Sequence, residues 1–337
     1  MENIRLIKKT FKDIYNLEVF EVSLIVDQGR KKVWEIATSK GKKIWKSMTM
    51  SKDMVGFIVK VTEYLIAKGL KVPPVTKTRS GKDYYLSPQG EIYLLTDWIE
   101  GTKPSFTNHI KDIVITLAKF HKYTARIDMS PYSYVPDRRG SWPTTYQNRQ
   151  KRLYEINKVV DKKSKAARGF LKNIDYFLNK TKTATVLLEK SYYRRWLQKK
   201  GTKTGLCHRD FIPQNLRLSE TGELYVFDFD TLTIDIPAMD LRKIINSICK
   251  EKGKWDIGIV KSVIAYYNSV NPLSVREWEV VFIDLMYPHF FYSLVNNYCI
   301  NDIDSFTDNC NFERLQNTID YEKSKDSLWE DFRHIMK

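Results

Sequence analysis

The sequence predicts an α+β protein of two lobes, with a small antiparallel-sheet lobe ahead of a larger, mainly helical one. Two observations carry that expectation. Residues 19–98 concentrate β-branched and aromatic runs separated by glycine turns, whereas most of the chain after His109 repeats its apolar residues at helical spacing. At 337 residues the chain is long enough to bury one large core or two lobes with a cleft between them.

The elements follow in order. Ile4, Ile7, Phe11, Ile14 and Tyr15 sit at helical spacing, so a short amphipathic helix opens the chain. Val19–Val26, Val33–Thr38 and Lys43–Met48 read as an antiparallel meander, with turns at Asp27–Arg30 and Lys40–Gly41 and with Lys46 on the third strand. Ser51 caps a helix that runs to Lys68 and stops at Gly69. Val72–Val75 leads into a hairpin around Ser80–Lys82, and Glu91–Trp98 is a buried strand. Gly101 then lets the chain turn sharply, which places the lobe boundary between residues 98 and 99. One long buried helix spans His109–Tyr123, a proline-containing loop spans Ser130–Pro143, and a basic helical insertion covers about 144–204. Asp240–Lys250, Ile257–Asn268, Ser274–Tyr298 and Phe312–Ile335 are helical, and Ser274 with Glu277 forms a capping box.

Charge is unevenly placed. The net charge of +16 divides into +10 for residues 1–146, +13 for 147–205 and −7 for 206–337. The middle segment is therefore the one that would attract polyanions, although a solvated helical face is the simpler reading. Its aromatics Tyr154, Phe170, Tyr176, Phe177, Tyr192, Tyr193 and Trp196 lie among lysines and arginines. They could stack on bases or sugars, but at helical spacing they read more simply as the apolar stripe of a helical hairpin. Cys207, Cys249, Cys299 and Cys310 form no C-x-x-C pair, so reduced, intracellular thiols are expected rather than a zinc knot or a disulfide framework. Residues 1–17 mix charges through their apolar positions and read as neither signal peptide nor membrane span. The most apolar run, Val280–Val295, is interrupted by Asp284, Pro288 and His289 and reads as a buried helix pair.

Chemistry concentrates in Gly205–Asp240. Leu216–Leu218 and Leu224–Phe229 flank the polar turn Ser219–Gly222, so a hairpin is expected. Strand alternation would put Leu224, Val226, Asp228 and Asp230 on one face. Two carboxylates so placed repel each other unless a cation joins them, and magnesium with a triphosphate is the natural candidate. The hairpin should bring Asn215 beside Asp228, giving hard oxygen ligands. Asp210, on the loop before it, would then accept a proton from an attacking hydroxyl.

The spacing His208-x-Asp210-x4-Asn215, followed by Asp228-Phe229-Asp230, resembles the kinase catalytic loop and metal aspartate, with Asp-Phe-Asp in place of Asp-Phe-Gly. The order of elements resembles the protein-kinase-like fold, and more closely its aminoglycoside and choline phosphotransferase branch. Thr96–Gly101, Leu117–His121, the catalytic stretch and Asp235–Leu241 look most like the spore-coat CotS family of endospore-forming bacteria. That resemblance implies ATP and Mg2+ as cofactors and a hydroxyl acceptor on a small molecule, glycan or protein. The expected location is cytoplasmic, as the reduced thiols suggest, or the spore coat, as the resemblance implies, with coat proteins or anionic glycans as partners of the basic segment. By the same resemblance Lys46 would contact the α- and β-phosphates, and Gly29 would sit in the phosphate loop. Backbone at Thr96, Asp97 and Trp98 would hold adenine. Asp210 would be the catalytic base, and Asn215 and Asp228 would bind magnesium. His208 and Asp240 would hold the loop, while Arg209 and Asp230 would support the site.

Two departures from the family pattern stand out. Gly29 is the only glycine in the phosphate-loop position, and Ile58 stands near where a glutamate would pair with Lys46, the nearest acid on that helix being Glu63 more than a turn later. They favour an alternative in which the fold is kept as a non-catalytic coat module. Nucleic-acid binding through residues 147–205 is the third reading.

Overall fold

The structure, a computed structural model, describes residues 2–129, 131–132, 134–160, 164–198, 205–298, 300–301, 305–306 and 311–336. Ser130, Cys299, Cys310 and residues 161–163 and 199–204 of the expected insertion lie outside the described residues. In chain order the first elements are α1 (Glu2–Thr10), β1 (Val19–Gln28), β2 (Lys31–Thr38), β3 (Gly41–Met48), α2 (Lys52–Ala67), β4 (Tyr85–Leu86), β5 (Ile92–Asp97) and α3 (Phe106–Thr124). Next come α4 (Trp142–Val159), α5 (Lys165–Lys190), α6 (Tyr193–Gln198), β6 (Gly205–Cys207), β7 (Leu216–Leu218), β8 (Leu224–Val226) and β9 (Thr233–Asp235). The helices α7 (Ala238–Glu251), α8 (Ile257–Asn268), α9 (Val275–Met286), α10 (His289–Tyr298), α11 (Phe312–Lys323) and α12 (Leu328–Ile335) complete the chain. No helix among the described residues is long and apolar enough to cross a membrane.

The chain divides into two compact units, residues 1–136 with 212–232, and residues 137–211 with 233–337. The expected boundary at 98/99 does not coincide with this division, which keeps α3 and the β7–β8 hairpin with the sheet.

In the first unit an antiparallel sheet runs in the order β1-β2-β3-β5-β4. Register places Trp34 opposite Trp45 and Trp45 opposite Leu95, so these side chains share one face. Ile7, Phe11 and Tyr15 cover that face, with Phe11 edge-on to Trp45 at 5.5 Å and Trp45 stacked on Tyr93 at 4.2 Å. The opening helix keeps this alignment by passing into one π turn over Phe11–Tyr15, ended by Asn16 in the left-handed region. Ser51 caps α2 by accepting from the Met54 amide, as its place in the sequence predicts. A turn forms at the expected Ser80–Lys82, where the Thr78 amide donates to the Lys82 carbonyl and the Gly81 amide to the Thr78 carbonyl, both at 2.9 Å, but the strand pair lies further on, with Ser87 and Glu91 closing the turn between β4 and β5. Lys68 ends α2 and Gly69 adopts φ +82°, the stop the sequence predicts.

In the second unit α4 and α5 form a hairpin whose Leu153, Ile156, Phe170, Ile174 and Phe177 pack with Phe291, Leu294 and Leu315. Phe170, Phe177, Tyr193 and Trp196 are buried, so these four aromatics fill a core, as the helical-stripe reading expects; Tyr154 is exposed. The periodic stretch Ser274–Tyr298 is two helices, α9 and α10, because Pro288 cannot continue the first. The capping box forms: Ser274 N–H donates to Glu277 Oε2 at 2.7 Å, and Glu277 N–H donates to Ser274 Oγ at 3.3 Å.

Candidate active site

Lys46 lies on the central strand β3, where it opposes Val33 on β2 and Leu94 on β5. Its side chain therefore emerges on the sheet face away from Trp45. The Nζ atom meets Asp228 Oδ1 at 2.6 Å and Asp230 Oδ2 at 2.7 Å. Burial disfavours the ammonium, but Asp230 and then Asp228 outweigh it, and the pKa of Lys46 is raised. Asp228 responds in the opposite sense. Burial alone would push its carboxyl up, yet Lys46 and Lys31 bring it down to about 2.

The two aspartates meet the lysine by a route that strand alternation does not describe. β8 ends at Val226, Asp228 adopts φ 65°, ψ 64°, and Phe229–Thr231 form a 3-10 turn. The period-two expectation for Asp228 and Asp230 is thus corrected: a left-handed residue followed by a tight turn brings both carboxylates to one ammonium. Phe229, 4 % exposed, stacks on Phe120 of α3 at 6.1 Å and anchors that turn. Asn215 stands across the hairpin. Its carbonyl accepts from Phe227 N–H at 3.2 Å, and Leu216 pairs with Val226, so the residue beside Asp228 is held against Asn215.

Besides Lys46, a second lysine faces the two aspartates. Lys31 Nζ lies 3.6 Å from Asp228 Oδ2 and 3.6 Å from Asp230 Oδ2. The sequence pattern starts this strand at Val33 and so leaves Lys31 in the turn, whereas β2 begins at Lys31. With the strand starting at Lys31, alternation puts Lys31 and Val33 on one face, and Val33 opposes Lys46. Ile58 on α2 is buried, and Glu63 on the same helix pairs with Lys77 at 3.0 Å.

Thr96, Asp97 and Trp98 end β5. Thr96 opposes Ile44 and bridges to Val75. Asp97 opposes Lys43, on the face away from Lys46, and forms an ion pair with it. The Asp97 and Trp98 amides donate to the Pro74 and Lys42 carbonyls, both at 3.1 Å. Lys42 and Arg217 stand 5.8 and 5.9 Å from the Trp98 ring centre. Gly29, with φ +66°, occupies the β1–β2 turn and has open space where a side chain would start. Gly101 does more than turn the chain. It brings Thr102 into mutual backbone hydrogen bonds with Leu218 at 2.9 and 2.8 Å.

His208, Arg209, Asp210 and Asp240 belong to the second unit. Asp240, buried at the start of α7, accepts the His208 and Arg209 amides, one on each carboxylate oxygen, both at 2.7 Å. The Lys243 ammonium donates to the Arg209 carbonyl. His208, fully buried, accepts from the Asp210 amide at 3.3 Å through Nδ1. Arg209 adopts φ 64°, and its backbone amide ties it to Asp240. The guanidinium Nε of Arg209 meets no acceptor among the described residues. Cys207 is buried and donates to the Ile236 carbonyl at 3.2 Å. Burial pushes its thiol pKa well up, so it packs as a small apolar group.

Comparison with known proteins follows the same lines. A family model described as "Spore coat putative kinase YutH" matches residues 13–332. Spore coat protein S of Bacillus subtilis (strain 168) is 27 % identical over 327 residues, covering 96 % of this chain and 93 % of that protein. An aminoglycoside phosphotransferase from Alicyclobacillus acidocaldarius superposes with a TM-score of 0.72 at 16 % identity, covering 94 % of this chain and 91 % of that one. Spectinomycin phosphotransferase APH(9)-Ia, solved with ADP and spectinomycin, gives 0.66 at 14 % identity and covers 98 % of each chain. These similarities show a two-lobe, protein-kinase-like α+β fold. The family match spans nearly the whole sequence, and the chain belongs to the family so described, "Spore coat putative kinase YutH".

Proposed function

We propose that this chain is an ATP- and magnesium-dependent phosphotransferase that acts on a hydroxyl acceptor in association with the spore coat. The observation that carries the reading is the convergence of Lys46, Asp228 and Asp230, with Asn215 held across the same hairpin. Two carboxylates and a carboxamide are a hard oxygen set that fits a small divalent cation, and the negative charge that the ammoniums beside them meet supports this reading. Magnesium on those oxygens would neutralise the triphosphate during transfer. Lys46 would hold the nucleotide phosphates. Asp210, on the loop that Asp240 braces through two amides, would accept the proton of the acceptor hydroxyl. Backbone at Thr96–Trp98 would hold adenine. The resemblance to a spectinomycin phosphotransferase solved with ADP supports the nucleotide.

Asp228→Ala tests this directly. Calorimetry is expected to show magnesium-dependent ATP binding in the wild type and none in the variant; unchanged binding would sink the metal assignment. Phosphate transfer to a component of spore-coat extract that is lost in Asp210→Asn would establish the catalytic role.

One observation favours a second reading, a kinase fold kept as a coat-binding module. The α2 helix offers Lys46 no carboxylate where a kinase would, since Ile58 is buried there and Glu63 serves Lys77. Magnesium-dependent ATP binding with no transfer to any coat component would select this alternative.

A further inference from the structure

We infer that Lys31 is a second phosphate-contacting residue, standing in for the glycine-rich cradle that this chain lacks. The inference rests on the nucleotide-binding reading proposed above and adds a residue to it.

The β1–β2 turn is short and pinned. Gly29 and Arg30 form its tip, and Gln28 pairs directly with Lys31. Ser47, next to Lys46 on β3, accepts from the Lys32 amide at 2.7 Å and donates to the Arg30 carbonyl at 2.8 Å. One hydroxyl thus ties the backbone on both sides of Lys31 to the strand that carries Lys46. A turn built this way offers a single glycine, so it cannot wrap a triphosphate in successive backbone amides. What it offers is a side chain whose base is fixed.

Charge then decides what that side chain meets. Lys31 and Lys46 balance Asp228 and Asp230, two positive charges against two negative. Lys46 takes the short contacts, and Lys31, at 3.6 Å from each carboxylate and 36 % exposed, takes long ones that solvent weakens. A divalent cation on the same carboxylates satisfies them without either lysine. Both ammoniums then need another anion, and a polyphosphate supplies several oxygens near the same pair. Lys46 is held by the sheet. Lys31, on the pinned turn, approaches from the turn side and contacts the phosphates beyond the first.

The test is calorimetric binding of ATP, ADP and AMP, with magnesium, to the full-length wild type, Lys31→Ala and Lys31→Arg, after thermal denaturation has confirmed that the variants fold. Lys31→Ala is expected to weaken ATP and ADP about tenfold and to leave AMP within about twofold. Lys31→Arg is expected to restore most of the loss. Unchanged ATP affinity in Lys31→Ala overturns the inference while leaving nucleotide binding intact, and so does an equal loss for all three nucleotides. A wild-type protein that binds none of them overturns the nucleotide-binding reading and this inference with it.

Discussion

The Lys46 ammonium stands 2.7 Å from Asp230, nearly the 2.6 Å it keeps from Asp228, so a single lysine spans both carboxylates of the Asp-Phe-Asp motif. Removing it leaves two partly buried aspartates facing each other, with the long contacts to Lys31 as their remaining ion pairs among the described residues. Lys46→Met is therefore expected to lower stability by about 1–3 kcal/mol in metal-free buffer, less than a fully buried pair would lose because both aspartates retain some exposure. Millimolar magnesium should raise the Tm of the variant more than that of the wild type, since in the wild type it competes with the ammonium. Equal magnesium shifts in the two proteins would contradict the arrangement.

Gly101 and Gly29 make a paired test of backbone geometry. A Cβ on Gly101 would lie 2.1 Å from the Leu218 carbonyl oxygen and 2.9 Å from Ser219 Cα, atoms that cannot rotate away, and the residue sits at φ +138°. Gly101→Ala should cost about 2–4 kcal/mol by forcing the 102–218 bridge apart. Gly29→Ala meets nothing within 4 Å and bears only its φ of +66°, so about 1 kcal/mol is expected. Urea denaturation separates the two, and similar losses would show that the close approach at Gly101 is relieved elsewhere.

These positions also show what could be read in advance. The meander, α2 with its Ser51 cap, the hairpin at residues 216–226 and the helices after Asp240 follow from local periodicity and capping, although the stretch expected as helical over Phe312–Ile335 is divided into α11 and α12 by a turn at residues 324–327. The Asp228–Asp230 geometry does not, because a left-handed φ at a non-glycine residue is set by packing, here of Phe229 on Phe120. Lys31 was hidden by two residues of strand boundary, the least certain part of any reading by pattern. The grouping of residues 212–232 with the sheet joins segments far apart in sequence, which no local signal announces.

Asp284 offers a stability test outside the candidate site. Its carboxylate, 2 % exposed, accepts from Arg242 Nε at 3.0 Å, from His289 Nε2 at 2.6 Å and from the Tyr146 hydroxyl. Although burial alone would raise it, Arg242 and His289 hold its pKa well below the ordinary carboxylate range. Asp284→Ala strands a guanidinium that is 11 % exposed, and a loss of about 3–5 kcal/mol is expected. Asp284→Ala combined with Arg242→Met should recover part of it, and chemical denaturation of the single and double variants measures both. A double variant no more stable than the single would place the cost in packing rather than in the stranded charge.

The pH dependence of stability should contain two opposing contributions that single variants can separate. His289 is neutral when folded. Arg149 Nη1 can only donate, so His289 Nδ1 accepts from it at 3.1 Å, and Nε2–H donates to Asp284. Burial and Arg242 outweigh Asp284 and push its pKa down to about 3. Because unfolded histidine titrates near about 6.5, the unfolded chain holds the extra proton between those values, and stability rises with pH there. Asp235 acts in the other sense. Its oxygens accept from Trp142 Nε1 at 3.0 Å and from the Ile236 amide at 2.9 Å, yet burial dominates and raises it to about 7. An unfolded aspartate titrates near about 3.9, so from there to about 7 the folded chain holds the extra proton and stability falls as pH rises. Each group contributes at most about 1.4 kcal/mol per pH unit, and between pH of about 4 and 6.5 the two offset each other. His289→Gln should therefore make stability fall with rising pH across that window, and Asp235→Asn should make it rise more steeply than in the wild type. Thermal melts at closely spaced pH values give the slopes; two variants parallel to the wild type would show that neither group changes its protonation on folding.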